Sequence, residues 1–200
     1  MRVVLFGVGS PIVVDVEESA ERSGWTILMA VRNVPSPIWT SDTVPVVDAD
    51  SQDWSGHDVL LPIFGPANRR LACDDAKARG ATRFPTLIDP TSILPRRIDI
   101  GAGVYINAGG VIGGATRIGD HAFINRGVRL GHHLDLGRFA SIGPGVVVAG
   151  QVTIGDAAMV GAGAVILPGI TIGAGATIGA GTVVRADVAP HQVFTGRHAS

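Results

Sequence analysis

The sequence predicts a small parallel α/β domain over residues 1–87, followed by a left-handed parallel β-helix over residues 88–200. Three observations predict it. From residue 88 to 189 a branched aliphatic residue returns every six positions through seventeen consecutive hexads, from Ile88 and Leu94 to Ile178 and Val184. Glycine follows more than half of these lead residues. The first 87 residues show no hexad, and short apolar runs alternate there with polar-faced helical stretches. All three tryptophans, the only lysine (Lys77) and the only cysteine (Cys73) fall in that first part. A short fixed period marks a solenoid, and strand–helix–strand alternation marks a small parallel sheet.

Residues 2–6 form an apolar run closed by Gly7-Val8-Gly9-Ser10, which reads as a buried strand entering a turn. Pro11 stands at a helix start, and Glu17, Glu18, Glu21 and Arg22 give that helix a polar face until Gly24. Residues 25–31 and 58–64 read as the second and third strands, and 67–79 as a second helix stopped by Gly80. The stretch 35–56, rich in Pro, Ser and Asp, reads as loop. Residues 84–87 lead into the repeats. This order is Rossmann-like.

Each hexad then makes one short strand and one turn, and three hexads make a triangular coil of eighteen residues. The lead aliphatic points inward, and small or aliphatic residues at the fifth position, such as Thr116, Ala122, Ala140, Ala158, Ala164 and Ala176, fill the remaining space. Glycine at the second position is expected to allow the backbone conformations of the corners. Coils stack at about 4.8 Å, so residues eighteen apart lie above one another. Each buried lead residue contributes roughly 1.5–3 kcal/mol before chain entropy is subtracted.

Composition narrows the function classes. A formal net charge of −1 with no basic run gives no electrostatic reason for nucleic acid or an anionic membrane as partner. No apolar run reaches the roughly 18–20 residues that span a bilayer, and the N-terminus meets Gly and Pro too early for a signal-peptide core. A lone cysteine fits a reducing compartment, so a cytoplasmic protein is expected. Between residues 101 and 189 there is no Lys or Glu and only nine Asp or Arg. Prisms packed side by side would explain so little charge, and three around an axis is the expected closed arrangement, a homotrimer.

One segment breaks the run of plain corner residues: Ile124-Asn125-Arg126-Gly127-Val128-Arg129-Leu130-Gly131-His132-His133. A corner histidine points outward. Gly150 lies eighteen residues after His132, over the same corner one coil on, and Asn125 lies one hexad before Gly131 on an adjacent face. A base, a side-chain amide and a glycine N–H are the parts that acyl transfer needs. Imidazole suits proton abstraction near neutrality, and a backbone N–H stabilises the oxyanion of an attacked thioester.

On these motifs, with Ile63-Phe64-Gly65…Arg70 before them and Pro144-Gly145-Val146-Val147-Val148-Ala149-Gly150 after them, the chain resembles the sugar O/N-acyltransferases of the sialic acid acetyltransferase NeuD type. The resemblance lies close to the bacterial N-acetyltransferases of nucleotide-linked amino sugars used in polysaccharide biosynthesis. It implies direct transfer from acetyl-CoA, with no metal, at sites between subunits. It implies His132 as general base beside His133 and Gly150, and Asn125 against the acceptor sugar. It implies Ser141 and Gly150 at the acetyl donor, the pantetheine arm past Gly161, Ala162 and Ala180, and Arg185 or Arg197 at the CoA phosphates. The turn Gly7, Gly9, Ser10, together with Asn33 and Gly65, would hold the nucleotide sugar.

The chain departs from that pattern in places. The residue after the base is usually acidic and is here His133, so Asp135 is an alternative partner. The third glycine of a dinucleotide fingerprint is missing after Gly9, and the second strand ends in Arg32-Asn33 where Asp is usual. O-acetylation of a sialic-acid-type sugar uses the same base and is the alternative reading. A zinc carbonic anhydrase-like site from His121, His132 and His133 is more remote, because residues 132 and 133 point differently, and a purely structural β-helix is a further remote alternative.

Overall fold

The computed structural model describes residues 1–51 and 54–196. Its first part alternates β1 (Arg2–Phe6), α1 (Val13–Arg22), β2 (Thr26–Arg32), β3 (Val46–Asp48), β4 (Asp58–Leu60) and α2 (Pro66–Ala78). The four strands are parallel in the order β3-β2-β1-β4. Val3, Val4, Leu5 and Phe6 of β1 are fully buried, as expected for a parallel strand covered on both faces. α2 buries Arg69, Ala72, Cys73 and Ala76, one helical stripe.

Two expectations need correction here. The stretch read as loop contains β3, in which Val46, Val47 and Asp48 pair with Ala30, Val31 and Arg32. Two valines among Pro, Ser and Asp suffice because an edge strand needs only one neighbour. The third strand ends at Leu60, before Pro62, which has no N–H to offer a ladder.

Seventeen two- and three-residue strands follow, β5 (Leu87–Ile88) to β21 (Val193–Phe194). They form three parallel sheets of seven, five and five strands. Face one carries Phe123–Ile124, face two Arg129–Leu130 and face three Asp135–Leu136. Partners lie eighteen residues apart, as in Phe123↔Ser141, Leu130↔Val148 and Leu136↔Ile154. The lead aliphatics and fifth-position residues fill one continuous core. The period fails once: Ile172 bridges Val188 and Thr177 pairs with Val193, sixteen residues on. The hexad led by Val184 is therefore two residues short, and buried Val188 takes the next inward place.

The second-position glycines serve a purpose other than corner conformation. Left-handed backbone occurs at the fourth position instead, at Gly127 and Gly145 but also at Ala115, His121, His133 and Phe139. At the second position a Cβ would strike the next coil: at Gly131 it would lie 2.5 Å from the Ala149 carbonyl carbon. Stacking closeness selects glycine there.

The outward sides of the faces differ. Face one is covered by the first domain. Face two stacks Ile93, Val111, Arg129, Val147, Val165 and Val183, of which Ile93, Arg129 and Val147 are exposed. Face three stacks Asp99, Arg117, Asp135, Thr153 and Thr171.

Arg69 joins the two parts. Its buried guanidinium donates to the carbonyls of Ile63, Phe64, His121, Phe139 and Ala140 and to the Ser141 hydroxyl, all within 3.1 Å. No carboxylate joins this contact set, and burial lowers its pKa to about 9. A second joint centres on buried Asp89, which accepts from Ser19, Arg22 and Thr91. Burial opposes its charge, but those hydrogen bonds outweigh burial and hold the carboxyl down to about 2. Among the described residues no helix is long and apolar enough to cross a membrane.

Candidate active site

His132 and His133 sit at the corner after face two and both are exposed. His133 has φ +56°, and its N–H donates to the Gly114 carbonyl one coil below. The Nδ1 atoms of the two rings are 2.9 Å apart and the rings are nearly perpendicular, at 88°. Two protonated Nδ1 atoms could not make this contact, so one donates and the other accepts.

Gly150 closes the corner from the coil above. A Cβ there would lie 2.5 Å from Cε1 and 2.7 Å from Nε2 of His132. The imidazole therefore rests directly on the glycine backbone, in space that a side chain would occupy. Gln151 donates to the His132 carbonyl at 2.9 Å, whereas nothing among the described residues accepts from the Gly150 N–H. A base and a free backbone donor stand side by side.

The other expected residues are placed differently. Asn125 is buried at the corner after face one, where its Oδ1 accepts from the Arg126 N–H at 2.8 Å and from Asn107 Nδ2 at 3.1 Å. Within one chain it occupies a different corner from His132. Ser141 was expected at the acetyl donor, but it is fully buried; its hydroxyl donates to the Phe64 carbonyl at 2.6 Å and accepts from Arg69. It belongs to the domain joint. Gly161, Ala162 and Ala180 stack at the corner after face one, a Cβ on Gly161 meeting the Ala180 N at 2.6 Å. Exposed Arg185 follows Val184 at the His132 corner. Arg197 lies outside the described residues.

His121 points from its corner into the first domain. It stacks on Phe139 with centroids 4.8 Å apart, meets the Phe84 edge, and brings Nε2 within 3.5 Å of Cys73 Sγ. Burial pushes its pKa down to about 4, with Lys77 adding to the effect. It cannot join His132 and His133 in a zinc site, and no group of three His, Cys, Asp or Glu among the described residues could hold a metal ion.

A second feature opens in the first domain, a cleft of about 540 Å³ lined by Gly7, Gly9, Ser10 and Asn33. It lies where β1 ends between β2 and β4, the point at which strand order reverses and parallel sheets leave a crevice. Gly7 has φ +86° and donates to the Val31 carbonyl. A Cβ on Gly9 would lie 2.6 Å from Ser36 Oγ. Gly65 caps the N-terminus of α2 beside it, outside the lining. Sequence reasoning missed Ser36, Asn68, Leu71 and Asp75 in this wall. The stripe of α2 buried at Arg69, Ala72, Cys73 and Ala76 could have revealed the last three, since they flank it.

The family described as bacterial transferase hexapeptide (six repeats) matches residues 151–186. No curated protein sequence matches the chain significantly. Among solved structures, PerB from Caulobacter crescentus, in complex with CoA and GDP-perosamine, is 31% identical, with TM-score 0.83, over 94% of this chain and 90% of that one. The acetyltransferase domain of PglB from Neisseria gonorrhoeae, in complex with acetyl coenzyme A, is 25% identical, with TM-score 0.81, over 94% and 92%. WeeI from Acinetobacter baumannii shares the fold at 19% identity and TM-score 0.73, over 95% and 94%.

Proposed function

This chain belongs to the hexapeptide-repeat sugar N-acetyltransferases, and we propose that it moves an acetyl group from acetyl-CoA to the amine of a nucleotide-linked amino sugar with His132 as general base. The observation that carries the proposal is the His132 ring lying on Gly150, whose N–H is free. PerB, similar along nearly the whole chain, was solved with CoA and GDP-perosamine.

In this reading the Nδ1–H of His132 donates to Nδ1 of His133, which leaves the Nε2 lone pair of His132 bare. The amine nitrogen attacks the thioester carbonyl and loses its proton to that Nε2. The tetrahedral oxyanion faces the Gly150 N–H. The carbon–sulfur bond then breaks, and His132 returns the proton to sulfur, so CoA leaves as the thiol and the sugar carries the amide. No bond to the enzyme forms. His133 acts as a positioning residue in place of a carboxylate.

Residues 1–87 hold the nucleotide in the cleft beside Gly7, Gly9, Ser10 and Asn33, and residues 88–200 carry the transfer. Gly161, Ala162 and Ala180 stand at one corner and His132 and Arg185 at another, so a single CoA groove uses corners from two subunits. The outward column of face two, apolar at Ile93, Val111, Val147, Val165 and Val183 and broken only by exposed Arg129, supports the same arrangement, a cytoplasmic homotrimer. Asn125 would meet the acceptor from the neighbouring corner.

Thiol release from acetyl-CoA, measured with UDP-, GDP- and dTDP-linked amino sugars, tests the reaction. His132→Ala should abolish turnover while sedimentation still reports the assembled oligomer. Undiminished transfer by that variant would overturn the mechanism, and a monomeric wild-type protein would overturn the two-subunit groove.

A further inference from the structure

The nucleotide cleft has an odd charge for its proposed ligand. Its lining contains a single ionisable side chain, Asp75, and no cation. A nucleoside diphosphate is anionic, and Asp75, ion-paired to Arg79 at 2.7 Å, keeps carboxylate lone pairs that suit hydrogen-bond donors on the ligand. The backbone N–H groups of Gly9 and Ser10 stand just before the N-terminal end of α1 and suit the phosphates, whereas that of Gly7 is taken by the Val31 carbonyl. Asp75 is seven residues beyond Asn68 along α2, about 10 Å along the helix, at the end away from Phe64.

Asp75 does not stand there alone. Arg79 Nε donates to its Oδ1 at 2.7 Å and orients the carboxylate. The amide Nδ2 of Asn33 donates one N–H to its Oδ2 at 3.4 Å, which leaves the second N–H of that amide for a ligand. Asn33 also borders the adjoining cleft of about 590 Å³ with Arg32 and Asp48, so this end is open enough for a ring. The pair presents one N–H donor followed by two carboxylate acceptors. We infer that Asn33 and Asp75 read the edge of guanine, so that the acceptor is a GDP-linked amino sugar.

The complementarity is specific. Guanine offers, side by side, the O6 acceptor, the N1–H donor and the 2-amino donor. Asn33 Nδ2 meets O6, and the Asp75 oxygens meet N1–H and the amine. Uracil and thymine present acceptor, donor, acceptor, which sets a carbonyl against a carboxylate oxygen. Cytosine presents donor, acceptor, acceptor, the reverse of guanine, and adenine has no donor at N1. Removing the 2-amino group leaves a carboxylate oxygen without its donor, and hydrogen bonds to charged groups are the costly ones to lose.

This inference rests on the cleft being the nucleotide site, and the test separates the two. Calorimetric titration of the intact wild-type protein compares GDP, IDP, UDP, dTDP and 2′-deoxy-GDP. GDP should bind about tenfold tighter than IDP, which lacks only the 2-amino group, and tighter still than UDP or dTDP. Asp75→Asn should lose the preference for GDP over IDP and gain affinity for xanthosine diphosphate, whose carbonyl at position 2 accepts from the new amide. Equal binding of GDP, IDP and UDP, with 2′-deoxy-GDP alone weakened, would assign Asp75 to the ribose and overturn the inference. Tighter binding of UDP than GDP would overturn it as well. If no nucleotide bound while acetyl-CoA did, the nucleotide reading of the cleft would fall first. The wild-type comparison of GDP with IDP decides the matter even if the variant fails to fold.

Discussion

Replacing Gly150 by Ala isolates the contact on which the catalytic proposal stands. The new methyl would begin 2.5 Å from Cε1, 2.7 Å from Nε2 and 3.1 Å from Nδ1 of His132. Carbon atoms settle at about 3.5–4.0 Å, so the ring must retreat by about 1 Å. A displacement of that size at a reacting group costs about a hundredfold in rate, or about 2.7 kcal/mol of transition-state stabilisation. Stability should barely change, because the corner is exposed and Gly150 is outside the left-handed positions. Gly114 supplies the control. It stands one coil below His132, also outside the left-handed region, and a Cβ there meets nothing within 4 Å. The assay is thiol release at saturating acetyl-CoA, with thermal unfolding of each variant. A kcat for Gly150→Ala within twofold of wild type would refute the reasoning, and so would an equal loss in Gly114→Ala.

Four further outcomes are expected. Arg69→Met should destabilise by about 3–5 kcal/mol in urea unfolding, since the carbonyls of Phe139, Ala140, Ile63 and Phe64 lose a buried donor. His121 is held neutral in the fold, its pKa lowered to about 4 from 6.5. Its contribution is therefore present above 6.5 and is lost as pH falls towards 4, about 3 kcal/mol in all. His121→Phe, with Phe139 already adopting the same φ one coil on, should flatten that slope in unfolding curves. Asp89→Asn should cost about 2 kcal/mol at neutral pH, because a pKa depressed from 3.8 to about 2 stabilises above 3.8 and is lost as pH falls through 2. His133→Phe should lower kcat about tenfold or more with KM little changed, whereas His133→Asp should restore rate and move the acidic limb of the pH profile. Equal pH profiles for the two variants would count against a partnership with His132.

The β-helix was legible because its period is enforced locally. Every lead aliphatic from Ile106 to Val184 is buried, and a six-residue repeat can bury one side of each strand in only one way. The corner histidines were legible for the same reason, since eighteen-residue arithmetic puts Gly150 over His132 without any distant contact. The β3 strand was not legible. Val46 and Val47 become a strand only because the edge of β2 is there to pair with. The shortened hexad at Val184 was likewise hidden, because Val188 competes with the next position in phase and wins only by packing on Ile172.

By itself, the sequence determined the repeat, the inward and outward sides of each coil and the His132–Gly150 corner, all set by spacing along one chain. Only tertiary structure decided how the two parts meet. Arg69 looks like one more helix arginine until its guanidinium is seen among carbonyls contributed from 63 to 140. That contact places Ser141, expected at the acetyl donor, as a buried part of the joint. It also set α2 beside β1, bringing Asn33 and Asp75 from separate elements to one end of a cleft. Those contacts join residues far apart in sequence with no period between them, and such pairings become visible only once the chain has folded.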